Sequence, residues 1–300
     1  MLSNLEILFQ APAFIVDLAV NGLLIGAIFA LVAYGMAMVW GVMNVINVSQ
    51  GELVMLGGYI TWLVAGAGVN PFLGLPVSVA VLFVLGWVMY RAVVFRVVDR
   101  DMFISVLATF GLAILLAQLT NQIFGSDLRT AGADLGTLLF LNGMVSVGVI
   151  KVIAFGLALA VGALLWLFVK LTPLGQAIRA TSQNPRAARI LGVDTDRVFA
   201  FTFSLNAALC GAAGSLVVMA YTIHPYIGLP YTVRSFMIVV TAGVGNLPGV
   251  VVAGLGLGMA ENFAGFLLGS QFQVAFVFLL MVVVLMFRSL LLRRQRKYLE

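Results

Sequence analysis

Charge is what this sequence most lacks. Only 9% of its 300 residues are Asp, Glu, Lys or Arg, while 63% are hydrophobic; a water-soluble domain carries about 25% charged residues. That composition cannot cover a surface facing water, so a soluble enzyme is excluded and no nucleic-acid partner is expected. Cysteine and histidine are nearly missing as well. Cys210 lies in an apolar run and His224 in a short loop beside Pro225, which leaves no disulfide framework, no metal-ligand cluster and no nucleophile constellation. No catalytic residue, metal site or cofactor is expected in the chain. Lysine is scarce too: Lys151, Lys170 and Lys297 are the whole set, and none follows the G-x-x-x-x-G-K-[ST] pattern. A chain without that phosphate-cradling loop is not itself a P-loop ATPase.

What fills the sequence instead is membrane-spanning material. The mean hydropathy is +1.15. Long apolar runs fall at 14–40, 51–67, 76–98, 102–121, 147–170, 198–221, 235–268 and 272–291. Their length suits helices, which need about 20 apolar residues to cross a bilayer, and they do not alternate as barrel strands do. The expectation is an all-α polytopic protein with about eight apolar segments, forming one transmembrane domain over 1–300. Residues 5–12 carry no basic run and read as an interfacial segment rather than a cleaved signal peptide.

Thirteen of the sixteen basic residues gather in three places: Arg91, Arg96 and Arg100; Lys170, Arg179, Arg186, Arg189 and Arg197; and the tail 288–300 with Arg288, Arg293, Arg294, Arg296 and Lys297. The excess of Lys and Arg in cytoplasmic loops puts these three inside and loops 120–146 and 222–234 outside. The N-terminus is then outside and the C-terminus cytoplasmic. For that count to close, 235–268 must enter and leave on one side.

Two interruptions carry the functional expectation. Around 41–51, Asn44, Asn47, Ser49, Gln50 and Gly51 separate two apolar runs, and Ser49 with Glu52 has the spacing of a reciprocal capping box. Around 243–249, Gly243, Gly245 and Asn246 precede Pro248, a helix-restart signal. Broken backbone at membrane depth is tolerated where it lines a protein cavity, and paired breaks in two halves of a transporter point to the pathway. Asn44, Asn47, Ser49, Gln50, Gly51, Glu52, Gly243, Gly245 and Asn246 are therefore the candidate pathway residues. Glu52 and Glu261 are the acids nearest membrane depth; no cation in their own segments offers a relay.

The one long hydrophilic island is 172–198. Pro173 and Gly175 interrupt the preceding span, Asn184 with Pro185 starts a helix of about two turns, Gly192 closes it, and Asp194 or Thr195 caps the next span. A short basic helix with its own caps suits docking of a partner. The plainer alternative is a basic loop resting on anionic lipid head groups. Arg179, Asn184, Arg186, Arg189, Gly192 and Asp194 form the candidate docking set.

Three motifs resemble one family. Asn21 to Leu31 followed by Gly41 to Gly57, then Pro173 to Val198, then Gly243 to Gly249 with Gly254, are similar in order to the LivH-type permeases of branched-chain amino acid ABC transporters. The resemblance runs over roughly 20–265; Val48-Ser49-Gln50 stands where many relatives carry an aromatic residue and His. It implies an inner-membrane importer subunit for leucine, isoleucine and valine, paired with a LivM-type second permease, two P-loop ATPases that use ATP and Mg, and a periplasmic substrate-binding protein. It also implies that 172–198 is the cytoplasmic coupling loop. The alternatives are the same machine moving urea, short amides or another small polar solute, and an ion-coupled transporter with Glu52 or Glu261 as coupling group.

Overall fold

The computed structural model describes residues 12–98, 100–132, 135–140 and 143–296, without the side chains of Pro12 and 288–296. The N-terminal segment before Pro12 and the side chains of the basic tail lie outside the described residues. Eleven α-helices occur among the described residues: α1 Pro12–Met43, α2 Gln50–Gly66, α3 Pro71–Ala92, α4 Met102–Phe124, α5 Val149–Leu171, α6 Pro173–Gln183, α7 Pro185–Ile190, α8 Thr195–Ala220, α9 Gly228–Ala242, α10 Leu247–Leu268 and α11 Gln273–Arg296. Between α4 and α5 sits an antiparallel hairpin, β1 Thr137–Phe140 and β2 Val145–Gly148, with Thr137 opposite Gly148 and Phe140 opposite Val145.

Local chemistry fixes the helix starts. Asn70, Asp101, Thr172, Asn184, Asp194 and Asn246 each accept a backbone N–H of the first turn, and Pro71, Pro173, Pro185 and Pro248 occupy early positions where no N–H is needed. Seven helices (α1, α3, α4, α5, α8, α10 and α11) are long and apolar enough to span a membrane. In α8, 89% of the apolar stretch is buried, against 22% in α4 and α5 and 6% in α11. The centre of the protein is thus α8, and the rim is left to lipid or to other subunits.

The long helices pair antiparallel through small residues. Gly22 and Gly26 of α1 lie against Gly254 and Gly258 of α10, where an added Cβ on Gly26 would stand 2.6 Å from Gly254 O. Gly211 of α8 sits on Ser78 of α3, and Gly86 of α3 on Ala207 of α8. Without a hydrophobic drive between helices in lipid, such close backbone approach supplies the packing energy. The pairs α1–α10 and α8–α3 correspond to each other, as do the short helices α2 and α9, which pack together. The halves are an inverted repeat: each is a long helix, an extended return and a half-length helix, and then a capped long helix starting at Asn70-Pro71 or Asn246-Leu247-Pro248.

The eight apolar segments of the sequence reappear, with 235–268 divided into the end of α9 and all of α10, antiparallel to each other. Both α3 and α5 end, and α8 begins, at one end of the bundle, which gathers Arg91, Arg96, Lys170 and 179–197 there; we refer to it as the basic end. The β-hairpin lies at the opposite, hairpin end, where α11 begins.

Candidate functional site

The first break is real. α1 stops at Met43, Asn44 takes a left-handed φ of 53°, and residues 45–49 turn back into the bundle. Gln50, which opens α2, donates from Nε2 to Val32 O at 2.8 Å. Val32 lies 11 residues before the end of α1, roughly 16 Å along its axis, so α2 starts deep in the bundle. Backbone exposed there must find partners inside the protein. Two threonines from distant helices provide them. Thr109 of α4 accepts from Val48 N–H at 3.1 Å and also lies 3.1 Å from Ile46 O. Thr232 of α9 accepts from Gly51 N–H at 2.9 Å and donates to Val48 O at 3.1 Å. Both are ordinary helix residues in the sequence, and nothing in its local pattern marks them.

The capping box expected of Ser49 and Glu52 does not form. Ser49 makes no side-chain cap; its hydroxyl donates to Asn47 Oδ1 at 2.7 Å, and the same oxygen accepts Ser49 N–H at 3.2 Å. Asn47 out-competes the reciprocal arrangement because its short amide reaches the backbone two residues on. Asn47 Nδ2 in turn donates to Gln50 Oε1 at 3.4 Å. Asn47, Ser49, Gln50 and Glu52 are all buried, whereas Asn44 is exposed.

Glu52 turns instead to the start of α9. Gly51 and Gly228 touch: a Cβ on Gly51 would lie 2.5 Å from the Gly228 carbonyl carbon, and one on Gly228 would lie 2.5 Å from Glu52 Oε2. The N-cap of α9, Ile227, has no capping side chain. The carboxylate therefore rests at an uncapped positive helix end, the position that best tolerates negative charge. Its Oε2 has no hydrogen-bond partner among the described residues.

The second expected break is also a break but not the partner of the first. α9 ends at Ala242, Gly243 and Gly245 have φ of 91° and 79°, and Asn246 caps α10 by accepting Gly249 N–H at 3.1 Å. This turn lies beside Gly41, near the end of α1, at the basic end. The half-length α9 separates it from Gly51 by roughly 20 Å. The true counterpart of 44–49 is 221–227, the return from α8 to α9. There Ile223 exchanges backbone hydrogen bonds with Arg129 (2.9 and 2.8 Å), so the loop after α4 satisfies it. The Lys and Arg distribution takes 222–234 for an outside loop; in the structure only 221–227 is a return, and 228–234 already belongs to α9.

Beside this junction, toward the hairpin end, a cavity of about 470 Å³ opens between α1, α5, α9, α10 and α11. Its wall holds a buried ion pair. Arg234 Nε donates to Glu261 Oε2 at 2.8 Å, and Arg234 Nη2 donates to Glu261 Oε1. The guanidinium also lies over the Phe29 ring at 4.9 Å. Glu261, which in the sequence has no cation within its segment, is thus paired and 5% exposed. The partner escapes a local reading because it comes from another helix, 27 residues away.

At the basic end, the polar island folds as two helices rather than one. Pro173 interrupts the span but opens α6, with Thr172 Oγ1 accepting Gly175 N–H at 3.0 Å. Arg179 lies on it and donates to Lys170 O at 3.2 Å. The two-turn helix expected after Asn184 is α7. Asn184 Oδ1 accepts from Arg186 and Ala187 N–H, both at 3.0 Å. Gly192 has φ 87°, and Asp194 caps α8 by accepting Arg197 N–H at 3.1 Å. Arg189 is turned back to α8, bonding Thr195 Oγ1 and Asp196 Oδ1, the latter at 3.3 Å. What projects is apolar: Ile190 is 86% and Leu191 82% exposed, beside exposed Arg186.

Comparison with known proteins follows the same outline. Residues 18–285 match the family model described as branched-chain amino acid transport system, permease component. The chain is 30% identical to the high-affinity branched-chain amino acid transport system permease protein LivH of Escherichia coli K12, over 89% of this chain and 91% of that protein. It is 31% identical to BraD of Pseudomonas aeruginosa, a permease protein of the same kind of system, over 90% and 92%. It is 26% identical to the ribose import permease protein RbsC of Haemophilus influenzae, over 91% and 85%. No solved structure matches.

Proposed function

The chain belongs to the family of permease components of branched-chain amino acid transport systems, and from that premise we propose that it is the membrane subunit of an ATP-driven importer that carries leucine, isoleucine and valine across the inner membrane. In this reading the chain performs no hydrolysis. ATP and Mg belong to two separate P-loop ATPases, a second permease of the LivM type completes the conduit, and a periplasmic binding protein delivers the solute. The N-terminus faces outside with the β-hairpin, and the basic end faces the cytoplasm, in line with the excess of Lys and Arg there.

The observation that carries the coupling part is the α6–α7 element. An exposed apolar pair beside a capped helix, at the basic end of the bundle, is a docking knob in need of a protein groove. The central α8, capped by Asp194, begins at Thr195 shortly after it, so a push on α7 reaches the middle of the bundle. The inverted repeat around Gly51 and Gly228 gives the two halves a common pivot, as alternating access requires.

Reconstitution of the permease pair with its ATPases and binding protein tests the function: ATP-dependent uptake of leucine, outcompeted by isoleucine and valine but not by urea or ribose, is expected. Uptake of ribose or urea in preference would move the chain to another solute on the same scaffold, a reading to which the RbsC likeness lends weight. Replacing Ile190 and Leu191 together by Asp is expected to strip the ATPases from the purified complex and to lower uptake by about a hundredfold or more. Each buried aliphatic side chain is worth roughly 1.5–3 kcal/mol. Intact co-purification and unchanged uptake would rule the knob out as the coupling surface.

A further inference from the structure

The cavity between α1, α5, α9, α10 and α11 holds a cation that the ion pair beside it does not use. Lys151, in the first turn of α5, reaches in from the hairpin end and donates to Asn21 Oδ1 at 3.1 Å. It also lies 5.5 Å from the Tyr221 ring and within the electrostatic reach of Asp17. The nearest carboxylates are committed elsewhere. Asp17 Oδ1 accepts from Ser146 N–H at 3.0 Å and from Asn21 Nδ2 at 3.2 Å, and Glu261 is held by Arg234. Arg234 and Glu261 pair with each other, and Asp17 acts on Lys151 only through space, so among the described residues no carboxylate bonds the Lys151 ammonium directly. An ionisable side chain that turns from a membrane-spanning helix into the bundle normally faces a partner or a pathway.

The rest of the wall completes a site of recognisable chemistry. Ile25, Phe29, Ile227 and Val274 give the wall its apolar part. Asn262 belongs to the same wall; its Nδ2 donates to Leu18 O at 2.7 Å, which leaves its carbonyl oxygen as the acceptor. At about 470 Å³ the space falls within the range of small-ligand pockets. We propose that this in-chain cavity is a holding site for the transported solute, taking the α-carboxylate of an aliphatic amino acid on Lys151, its ammonium on Asn262 Oδ1, and its side chain on the apolar wall. The inference rests on the amino-acid permease reading and adds to it a location inside one subunit and a named carboxylate ligand.

The test uses the complete complex in proteoliposomes, with labelled leucine, the binding protein and ATP. Lys151→Met is expected to lower leucine uptake roughly tenfold or more, the span of one lost charge-assisted hydrogen bond. ATP hydrolysis stimulated by leucine-loaded binding protein should stay near wild type, and Lys151→Arg should restore most of the uptake. A purely structural lysine would move assembly and hydrolysis together with uptake. Wild-type uptake by Lys151→Met overturns the site. So does failure of Lys151→Arg alongside Lys151→Met, or loss of assembly in either, because the lysine is then part of the scaffold. If the wild-type complex carries no leucine at all, the permease reading itself fails, and that outcome is distinct.

Discussion

Replacing Glu261 by alanine is expected to destabilise the protein by about 3–5 kcal/mol, the cost of leaving a buried charge without its partner. Arg234 is 13% exposed at its side chain and Glu261 6%, and no second carboxylate bonds Arg234 among the described residues. At an effective dielectric of about 20, two unit charges 3 Å apart attract by roughly 5 kcal/mol. That gain roughly balances the desolvation of both ions, which is why the pair is close to neutral overall while either half alone is not. The double substitution Arg234→Met with Glu261→Leu should therefore recover most of the loss. Thermal unfolding of the detergent-solubilised permease reads all three variants. A Glu261→Ala protein as stable as the wild type would show that cavity water shields the lone guanidinium and that the pair is not a structural clamp between α9 and α10.

Gly51→Ala is expected to be nearly as damaging, by another route. The added methyl would stand 2.5 Å from the Gly228 carbonyl carbon and 2.9 Å from Thr232 Oγ1, where real Cβ atoms do not go. Backbone cannot give way as a flexible side chain can, so α2 and α9 must separate. Separation breaks the Gly51 N–H to Thr232 bond and its continuation to Val48 O. Overpacking costs about 1–3 kcal/mol and each hydrogen bond about 0.5–1.5, for a total near 4 kcal/mol. Gly256→Ala is the control: nothing lies within 4 Å of the added methyl, and a change within about 0.5 kcal/mol is expected. Equal thermal stability of the two variants would remove the contact between the half-helices as a determinant of the fold.

Much of the protein is legible without coordinates, and the reasons are local. Asn184-Pro185, Asp194 and Asn246 act as helix starts because a capping side chain needs only the next three residues, and each cap forms as spaced. The apolar runs mark the spans because lipid leaves helices no other way to satisfy their backbone. Ser49 and Glu52 mislead for the same local reason. Their spacing fits a capping box, but Asn47 offers Ser49 a shorter bond and Gly228 gives Glu52 a helix end that no sequence window contains. The return at 221–227 is hidden because Pro225 and His224 read as surface loop, although Arg129 pairs with it inside the bundle. Ile190 and Leu191 pass as ordinary aliphatics until α7 is seen to turn them outward.

The amino-acid string alone determined that this is a helical membrane protein, where three of its helices begin, and which end carries the positive charge, since each depends on composition or on neighbours within a turn. Three-dimensional packing decided which breaks meet, which carboxylate is paired, and where a charged cavity lies. Those outcomes depend on groups tens to hundreds of residues apart, brought together by glycine-lined helix contacts whose register no single segment encodes.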